Sequence, residues 1–287
     1  MINDQDTNIV YLSPWLRDTK KYSEFFSRLE DLLLSLNIHW AFLPETEDIW
    51  ARDYMPIQVD EDNFVSFRYE PDYLMRLDPK KQYRTNPDKV SKALGLQCKK
   101  IGVKIDGGNF VFCGDCIVMT DKVFEENDDI QPEKLIETLE EAFGYPIVFI
   151  HWVRHGKPQD KNVDVYGHAD GFVKWCGGRR ILMSNHRETE PAEADIIRQT
   201  LEEHGFEVTE LSFNVPEPDE EVNWAYINFL QIGKHIIMPA FGIAEDHQAQ
   251  EQIARMFPDC DIHSIEMRAV ADDGGAMHCI SWNIKTT

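Results

Sequence analysis

One pattern recurs along the chain and limits its fold more than any other feature. It consists of a helix, a strand, a polar turn and then two short apolar runs that a second turn separates. Two apolar runs joined by a glycine-containing turn are typical of a β-hairpin. The predicted hairpins span 56–69, 108–119, 171–183 and 228–238. A unit of this kind, repeated at roughly 57 residues, predicts a modular fold in which similar blades pack side by side.

Each hairpin follows a helix and a strand that the residue pattern also predicts. The helices have apolar residues at three- and four-residue spacing and span 20–36, 87–94, 132–143, 191–204 and 244–256. The strands that follow them span 39–43, 99–105, 146–152, 206–213 and 261–267. The fifth unit ends with a single strand at 280–284, and 8–12 can supply its partner. That exchange closes a ring without exposed sheet edges, so residues 1–287 are expected to form one α/β domain.

Polar residues recur at one position in every unit, the turn between the strand and the hairpin. These turns span 47–53, 106–109, 167–171, 223–228 and 272–279. If the units surround a common axis, the five turns converge on it. The side chains that they bring together are then Asp53, Asp106, His168, Asp170, Asn228 and Cys279.

This set of side chains suits a substrate that carries a guanidinium group. A guanidinium is flat, carries one positive charge and presents N–H donors that carboxylates accept in pairs. A thiolate can attack its carbon, and His168 can protonate the nitrogen that leaves and later take a proton from water. A bound cation or a protonated His168 would favour the thiolate of Cys279, since a free thiol is mostly protonated at neutral pH.

Each of these residues also has a purely structural interpretation. A cysteine is more often buried core than nucleophile, and a pair such as His168 and Asp170 is usually an ordinary surface pair. Trp50 is expected to pack in the core more often than to stack on a cation. Arg52 would repel a cationic substrate and suits a structural salt bridge better. The recurrence at one position in five units is what favours the catalytic hypothesis.

Charge and cysteine content exclude several other classes of function. The formal net charge of −22 repels phosphate backbones and anionic lipid, so neither nucleic acid nor a membrane is an expected partner. No apolar run has the length of a membrane span, and residues 1–6 do not resemble a signal peptide. Six cysteines fit reduced thiols in the cytoplasm, and Cys113-Gly114-Asp115-Cys116 is expected to form a hairpin turn without a zinc or redox role.

The polar turns carry five short sequence motifs. They are Trp50-Ala51-Arg52-Asp53, Asp106-Gly107-Gly108-Asn109, Gly167-His168-Ala169-Asp170, Tyr226-Ile227-Asn228 and Gly274-Gly275-Ala276-Met277-His278-Cys279. In this order, and over essentially the whole chain, they resemble the family of agmatine deiminases and bacterial-type peptidylarginine deiminases. This family belongs to the guanidino-group-modifying (pentein) superfamily. The resemblance implies a five-bladed α/β propeller with pseudo-fivefold symmetry.

The resemblance also implies roles for individual residues. It implies Cys279 as the nucleophile and His168 as the general acid and base. Asp53 and Asp170 would bind the guanidinium nitrogens and belong to the same catalytic set. The residues that we expect to contact the rest of the substrate are Asp106, which stands where agmatine deiminases often have glutamate, the pocket residue Asn228, Trp50 and Asn109.

The expected reaction is hydrolysis of a guanidine to a ureido product and ammonia through a covalent Cys279 intermediate, with neither metal ion nor cofactor. The chain looks shorter than typical agmatine deiminases, so loops over the substrate tail are expected to be missing. It also lacks the signal peptide and the immunoglobulin-like domain of secreted peptidylarginine deiminases. We therefore expect a small, free guanidine compound as the substrate, with agmatine first.

Several other functions stay open on the sequence alone. The same residues could transfer the amidino group to an amine, or act on peptidyl-arginine. A metal-dependent hydrolase would use side chains with hard or borderline ligand atoms. Those side chains are His168, Asp170, Asp53 and Asp106. A binding module that senses a cationic metabolite is a further alternative, and self-association into a homo-oligomer is left open.

Overall fold

The blades of the molecule are five sheets of three strands each within residues 1–73, 84–154 and 166–286, which the computed structural model describes. Four sheets share one order, in which the second strand of a hairpin pairs antiparallel with the first and parallel with the strand after the next helix. The strands are Ile57–Gln58, Phe64–Arg68 and Cys98–Lys104; Val111–Phe112, Ile117–Thr120 and Ile147–Ile150; Val173–Trp175, Arg180–Met183 and Glu207–Glu210; and Leu230–Ile232, His235–Ala240 and Asp261–Glu266. The predicted hairpins and strands are confirmed, with ends that differ by a few residues.

The fifth sheet joins the two ends of the chain. Ser281–Ile284 pairs antiparallel with Ile9–Leu12, which in turn pairs parallel with His39–Phe42. The register opposes Ile9 to Ile284 and Leu12 to Ser281. The predicted exchange is therefore confirmed, and it closes five similar sheets into a five-bladed α/β propeller with pseudo-fivefold symmetry.

The five predicted helices are present between the sheets. They span Ser23–Ser35, Pro87–Ala93, Pro132–Phe143, Pro191–Glu203 and Glu245–Met256. Three of them begin at proline, which has no backbone N–H to leave unpaired and a φ angle that suits the first helical turn. Gly144 ends the third helix with a φ of 77°, in the left-handed region that favours glycine.

Short helical turns, which the sequence pattern did not predict, lie in the polar turns and in other connections between the strands and helices. The four-to-five-residue helices are Trp15–Asp18, Ala51–Tyr54, Lys122–Glu126 and Arg268–Ala271. The 3-10 turns are Asp4–Asp6, Gly107–Asn109, Ala169–Gly171, His186–Glu188 and Asn223–Ile227. Their apolar repeat is too brief to show a period, because each is about one turn long.

The apolar faces of the helices pack against the sheets. Phe25, Phe26, Leu29 and Leu33 of the first helix are buried, as expected from their spacing. The middle strands Ile117–Thr120 and His235–Ala240 are buried along nearly their whole length, so they act as rigid supports for the turns at their ends. In the part of the chain that the structure describes, no helix combines the length and apolar character that crossing a bilayer requires.

Candidate active site

Each of the five polar turns is hydrogen-bonded to the next one around the ring. These bonds tie together residues far apart in sequence, so the predicted convergence of the turns is confirmed. The bonds run from Arg52 N to Cys279 O (3.0 Å), from Gly108 N to Asp53 Oδ1 (3.1 Å), from Ala169 N to Asn109 Oδ1 (3.3 Å), from Asn228 Nδ2 to Asp170 O (3.5 Å) and from His278 N to Asn228 O (3.0 Å).

His168 lies between two buried carboxylates. Its Nε2 is 3.0 Å from Asp106 Oδ2 and its Nδ1 is 3.5 Å from Asp53 Oδ1. Burial alone would lower the pKa of the imidazole, but Asp53 and Asp106 outweigh it and raise that pKa to about 9. The ring is therefore an imidazolium at neutral pH and holds a proton that it can donate.

Asp53 is buried beside two further carboxylates. Burial raises its pKa to about 7, because repulsion from Asp106 and Asp170 adds to desolvation while the attraction of His168 offsets only part of it. The close approach depends on Gly108, whose absent Cβ would lie 2.6 Å from His168 Nδ1 and 2.8 Å from Asp53 Oδ1. A cation entering this position would favour the ionised form of Asp53.

Asp170 is paired with a histidine that the prediction left out of the site. His278 Nδ1 lies 2.6 Å from Asp170 Oδ2, and both side chains are buried. Burial would raise the pKa of Asp170, but the hydrogen bond with His278 and the charges of His278, His168 and Arg52 together outweigh burial and lower the pKa below its ordinary value. Asp170 is therefore an anion with its Oδ2 atom held in place.

The Cys279 side chain, with 8% of the residue exposed, sits in the field of these carboxylates. Its backbone N–H donates to Asn228 Oδ1 at 3.2 Å. Burial raises the pKa of the thiol well above its ordinary value, and the charges of Asp170 and Asp53 raise it further. The surroundings are thus polar and negative, and they favour the neutral thiol.

Three residues predicted to contact the substrate have other partners in this structure. Asp106 Oδ2 faces His168 and also Lys122 Nζ at 3.3 Å. The Asn109 side-chain oxygen accepts from Thr120 N at 2.7 Å, so Asn109 holds its own turn against the neighbouring strand. Trp50 is half-buried against the fifth turn.

The fifth turn accepts Trp50 only because it contains a glycine. A Cβ on Gly275 would overlap the ring of Trp50. The prediction of a salt bridge for Arg52 is wrong among the residues that the structure describes. Arg52 instead donates from Nη2 to Asn283 Oδ1.

A buried cationic residue next to the site was missed by the sequence analysis. Lys122 is 1% exposed, and its Nζ lies 2.9 Å from Glu126 Oε1 and 3.7 Å from Asp72 Oδ1. Burial raises the pKa of Glu126 to about 7, with Asp106 adding to the rise and Lys122 opposing it. A lysine four residues before a glutamate, directly after an apolar strand, is the signal that could have indicated this group.

Two tyrosines around His168 were also missed. The rings of Tyr73 and Tyr166 each lie 6.1 Å from the imidazole, and 4.9 Å from each other, between ring centroids. The Lys122 ammonium lies 5.1 Å from the Tyr73 ring centroid. These rings exclude water on one side of His168 and so strengthen the electrostatic interactions there.

Cys113 and Cys116 flank the hairpin turn that the sequence predicted. Cys113 N donates to Cys116 O at 2.8 Å, and Gly114 has a φ of 84° between them. All six cysteines have unbonded thiols. Among residues 1–73, 84–154 and 166–286, no three His, Cys, Asp or Glu side chains are grouped in a way that could hold a metal ion.

Comparisons with known proteins agree with this geometry. The sequence profile of Porphyromonas-type peptidyl-arginine deiminases matches residues 15–284. A Selenomonas ruminantium protein assigned as an agmatine deiminase is 22% identical over 86% of this chain and 76% of its own length. For a Listeria monocytogenes protein with the same assignment, 22% identity covers 63% of this chain and only 56% of that protein. The solved C. jejuni agmatine deiminase superposes with a TM-score of 0.78 at 17% identity, covering 99% of this chain and 96% of that one.

Proposed function

The chain belongs to the Porphyromonas-type peptidyl-arginine deiminase family, and we propose that it hydrolyses the guanidinium group of a small molecule to a ureido group with release of ammonia. Asp53 and Asp170 bind the guanidinium nitrogens, and the thiol of Cys279 attacks the carbon between them. His168 moves the protons. The observation that carries this proposal is the ring of hydrogen bonds that joins the turns of Cys279, Asp53, His168 and Asp170. In it, His168 lies between Asp53 and Asp106, and the charges of Asp53 and Asp170 act on the buried Cys279 thiol.

The first step depends on the charge of the substrate. The free thiol is protonated because burial and the two carboxylates raise its pKa. A guanidinium bound between the carboxylates opposes their field, so the thiol gives its proton to solvent water as the cation enters. The thiolate then forms a bond to the guanidinium carbon and gives a neutral tetrahedral adduct.

The second step uses the proton on His168. The imidazolium protonates one nitrogen of the adduct, the C–N bond breaks, ammonia leaves, and a thiouronium cation remains on Cys279. Neutral His168 then takes a proton from a water molecule as its oxygen adds to the same carbon. The C–S bond breaks, the hydroxyl proton passes to the departing sulfur, and the ureido product and the cysteine thiol are released.

The surroundings of the site support a small, free guanidine rather than a large substrate. Cys279, His168 and the carboxylates are all buried, and Tyr73, Tyr166 and Trp50 crowd the same space. Similar proteins are assigned as agmatine deiminases, which supports agmatine as the first compound to test. The free cysteines support a cytoplasmic location.

The test is a panel of guanidines with ammonia and the ureido product both measured. We expect agmatine or a close relative to yield the two products in equal amounts, with no loss after treatment with a chelator. Cys279→Ser should remove activity, whereas Cys176→Ser, at a buried cysteine with no part in the site, should retain it. Transfer of the amidino group to an added amine, or activity that needs a metal ion, would contradict hydrolysis by this mechanism.

A further inference from the structure

The segment before the first strand reaches the back of the active site. Asp4, in the short helix Asp4–Asp6, lies with its Oδ2 atom 3.6 Å from His278 Nε2. His278 contacts Asp170 through its other nitrogen, at 2.6 Å. One imidazole thus separates the carboxylate of the terminal segment from a carboxylate of the catalytic set.

Two further groups contact the Asp4 side chain. Lys174 Nζ lies 2.9 Å from its Oδ2 atom, and Asn283 Nδ2 donates to its Oδ1 atom at 3.2 Å. The nearby Thr7 Oγ1 also accepts from Asn283 Nδ2, at 2.9 Å. The segment is therefore bound to the strand next to Cys279 as well as to the blade that carries Lys174.

His278 lines a cavity that does not include the reacting groups. The cavity lies between the terminal segment and the body of the propeller, with Asp4, Arg52, Lys174 and Asn283 among its lining residues. Cys279, His168 and Asp53 are not among the described residues that line it. His278 and Cys279 are adjacent in sequence but serve different sides of the ring.

We propose that Asp4 is a positioning residue for the deimination reaction, acting through His278 to fix Asp170 for the substrate cation. Both ring nitrogens of His278 face carboxylates, at 3.6 Å on the Asp4 side and 2.6 Å on the Asp170 side. The ring is thus held between the two, and Asp4 keeps Nδ1 directed at Asp170 Oδ2. Asp170 Oδ2 is then fixed, and Oδ1 is left for a guanidinium nitrogen. This inference rests on the proposed function, since it gives Asp170 a cation to hold.

The test compares two alkylating reagents on the full chain. 2-Chloroacetamidine carries an amidinium, which two carboxylates can hold, and 2-chloroacetamide is its neutral counterpart of similar shape. We expect the parent protein to be alkylated at Cys279 faster by the cation. In Asp4→Asn, the ratio of the two rate constants at Cys279 should fall about tenfold, since a hydrogen bond to a charged group contributes about this factor.

A matched control lies on the same helical turn. Asp6 is exposed and accepts only from Asn3 Nδ2, at 3.4 Å, among described residues, so Asp6→Asn should leave the ratio unchanged. Asp4→Glu, which keeps the charge, should restore most of the ratio. With agmatine, Asp4→Asn should raise KM about tenfold while kcat changes less than about twofold.

The outcomes separate this inference from the proposed function. A ratio in Asp4→Asn equal to that of the parent, or an equal loss of rate with both reagents, overturns the role of Asp4. A parent protein that yields no ureido product from any guanidine contradicts the proposed function, but the reagent ratio still decides whether Asp4 positions the carboxylate. Thermal unfolding of each variant identifies any change that comes from a loss of folding.

Discussion

Two histidines of this molecule have nearly the same surroundings but different expected roles. The His168 network consists of Lys122, Asp106, His168 and Asp53, and the His278 network consists of Lys174, Asp4, His278 and Asp170. In both, Nε2 faces a carboxylate that is paired with a buried lysine, and Nδ1 faces a second carboxylate of the catalytic set. The networks differ in which contact is short: Nε2 to Asp106 (3.0 Å) in the first, and Nδ1 to Asp170 (2.6 Å) in the second.

This difference teaches how one arrangement can serve two tasks. His168 is held through Nε2 by Asp106, so its Nδ1 face and its proton are left for the reacting groups. His278 is held through Nδ1 by Asp170, and this contact fixes Asp170. A histidine between two carboxylates is thus not by itself an acid catalyst. Which nitrogen is anchored decides the role.

The largest effect is expected when the histidine of each network is replaced by asparagine in a separate variant. His168→Asn should lower kcat by roughly a thousandfold, because an amide cannot donate and recover a proton in the reaction. His278→Asn retains a donor near the position of Nδ1 and should act mainly through KM, by about tenfold. Steady-state kinetics on agmatine measure both. Equal losses of kcat in the two variants would contradict the division of roles.

The next largest effect concerns stability and the buried lysine of the His168 network. Lys122→Met should lower the free energy of unfolding by about 3 kcal/mol, because it leaves buried carboxylates without a counter-charge. The loss should be larger at pH 8 than at pH 6, since Glu126, with a pKa of about 7, accepts a proton at the lower pH. Urea denaturation at both pH values measures this. The exposed Lys134, paired with Glu137, is the control, and Lys134→Met should change the free energy by less than about 0.5 kcal/mol.

The pH dependence of activity separates the networks further. The carboxylate of Asp106 favours the imidazolium of His168, so its removal must lower the pKa of about 9. The alkaline limb of kcat/KM should accordingly move to lower pH by about one unit in Asp106→Asn. Asp4→Asn, a change of the same kind in the other network, should leave that limb in place. A limb that moves in both variants would mean that the two networks titrate together.

The sequence predicted the part of this arrangement that repeats. Asp53, His168, Asp170 and Cys279 were found because each lies in the same turn of its unit, and the ring closure was found because the fifth unit lacked a strand. Lys122 follows a hairpin, at a position where the other units have no matching group. The pattern therefore gave no reason to examine it.

The contribution of the terminal segment was harder to predict for a different reason. Pairing of Ile9 with Ile284 was expected, and it carries the residues before it toward the back of the ring. The contact of the Asp4 side chain with His278 was not expected, because the helical turn Asp4–Asp6 is too short to show a period. Likewise, nothing in the sequence pattern indicated that His278, next to Cys279, pairs with Asp170.

The smallest expected effect is at the lysine of the His278 network. Lys174→Met should lower the free energy of unfolding by about 1 kcal/mol, well below the loss for Lys122→Met. The reason is that the Asp4 side chain is 28% exposed and keeps water, Asn283 and His278 as partners, whereas Lys122 stands among carboxylates with almost no access to water. Urea denaturation at pH 8 compares the two variants directly. If Lys174→Met lowers the free energy of unfolding as much as Lys122→Met does, the lysine is equally important to the stability of both networks.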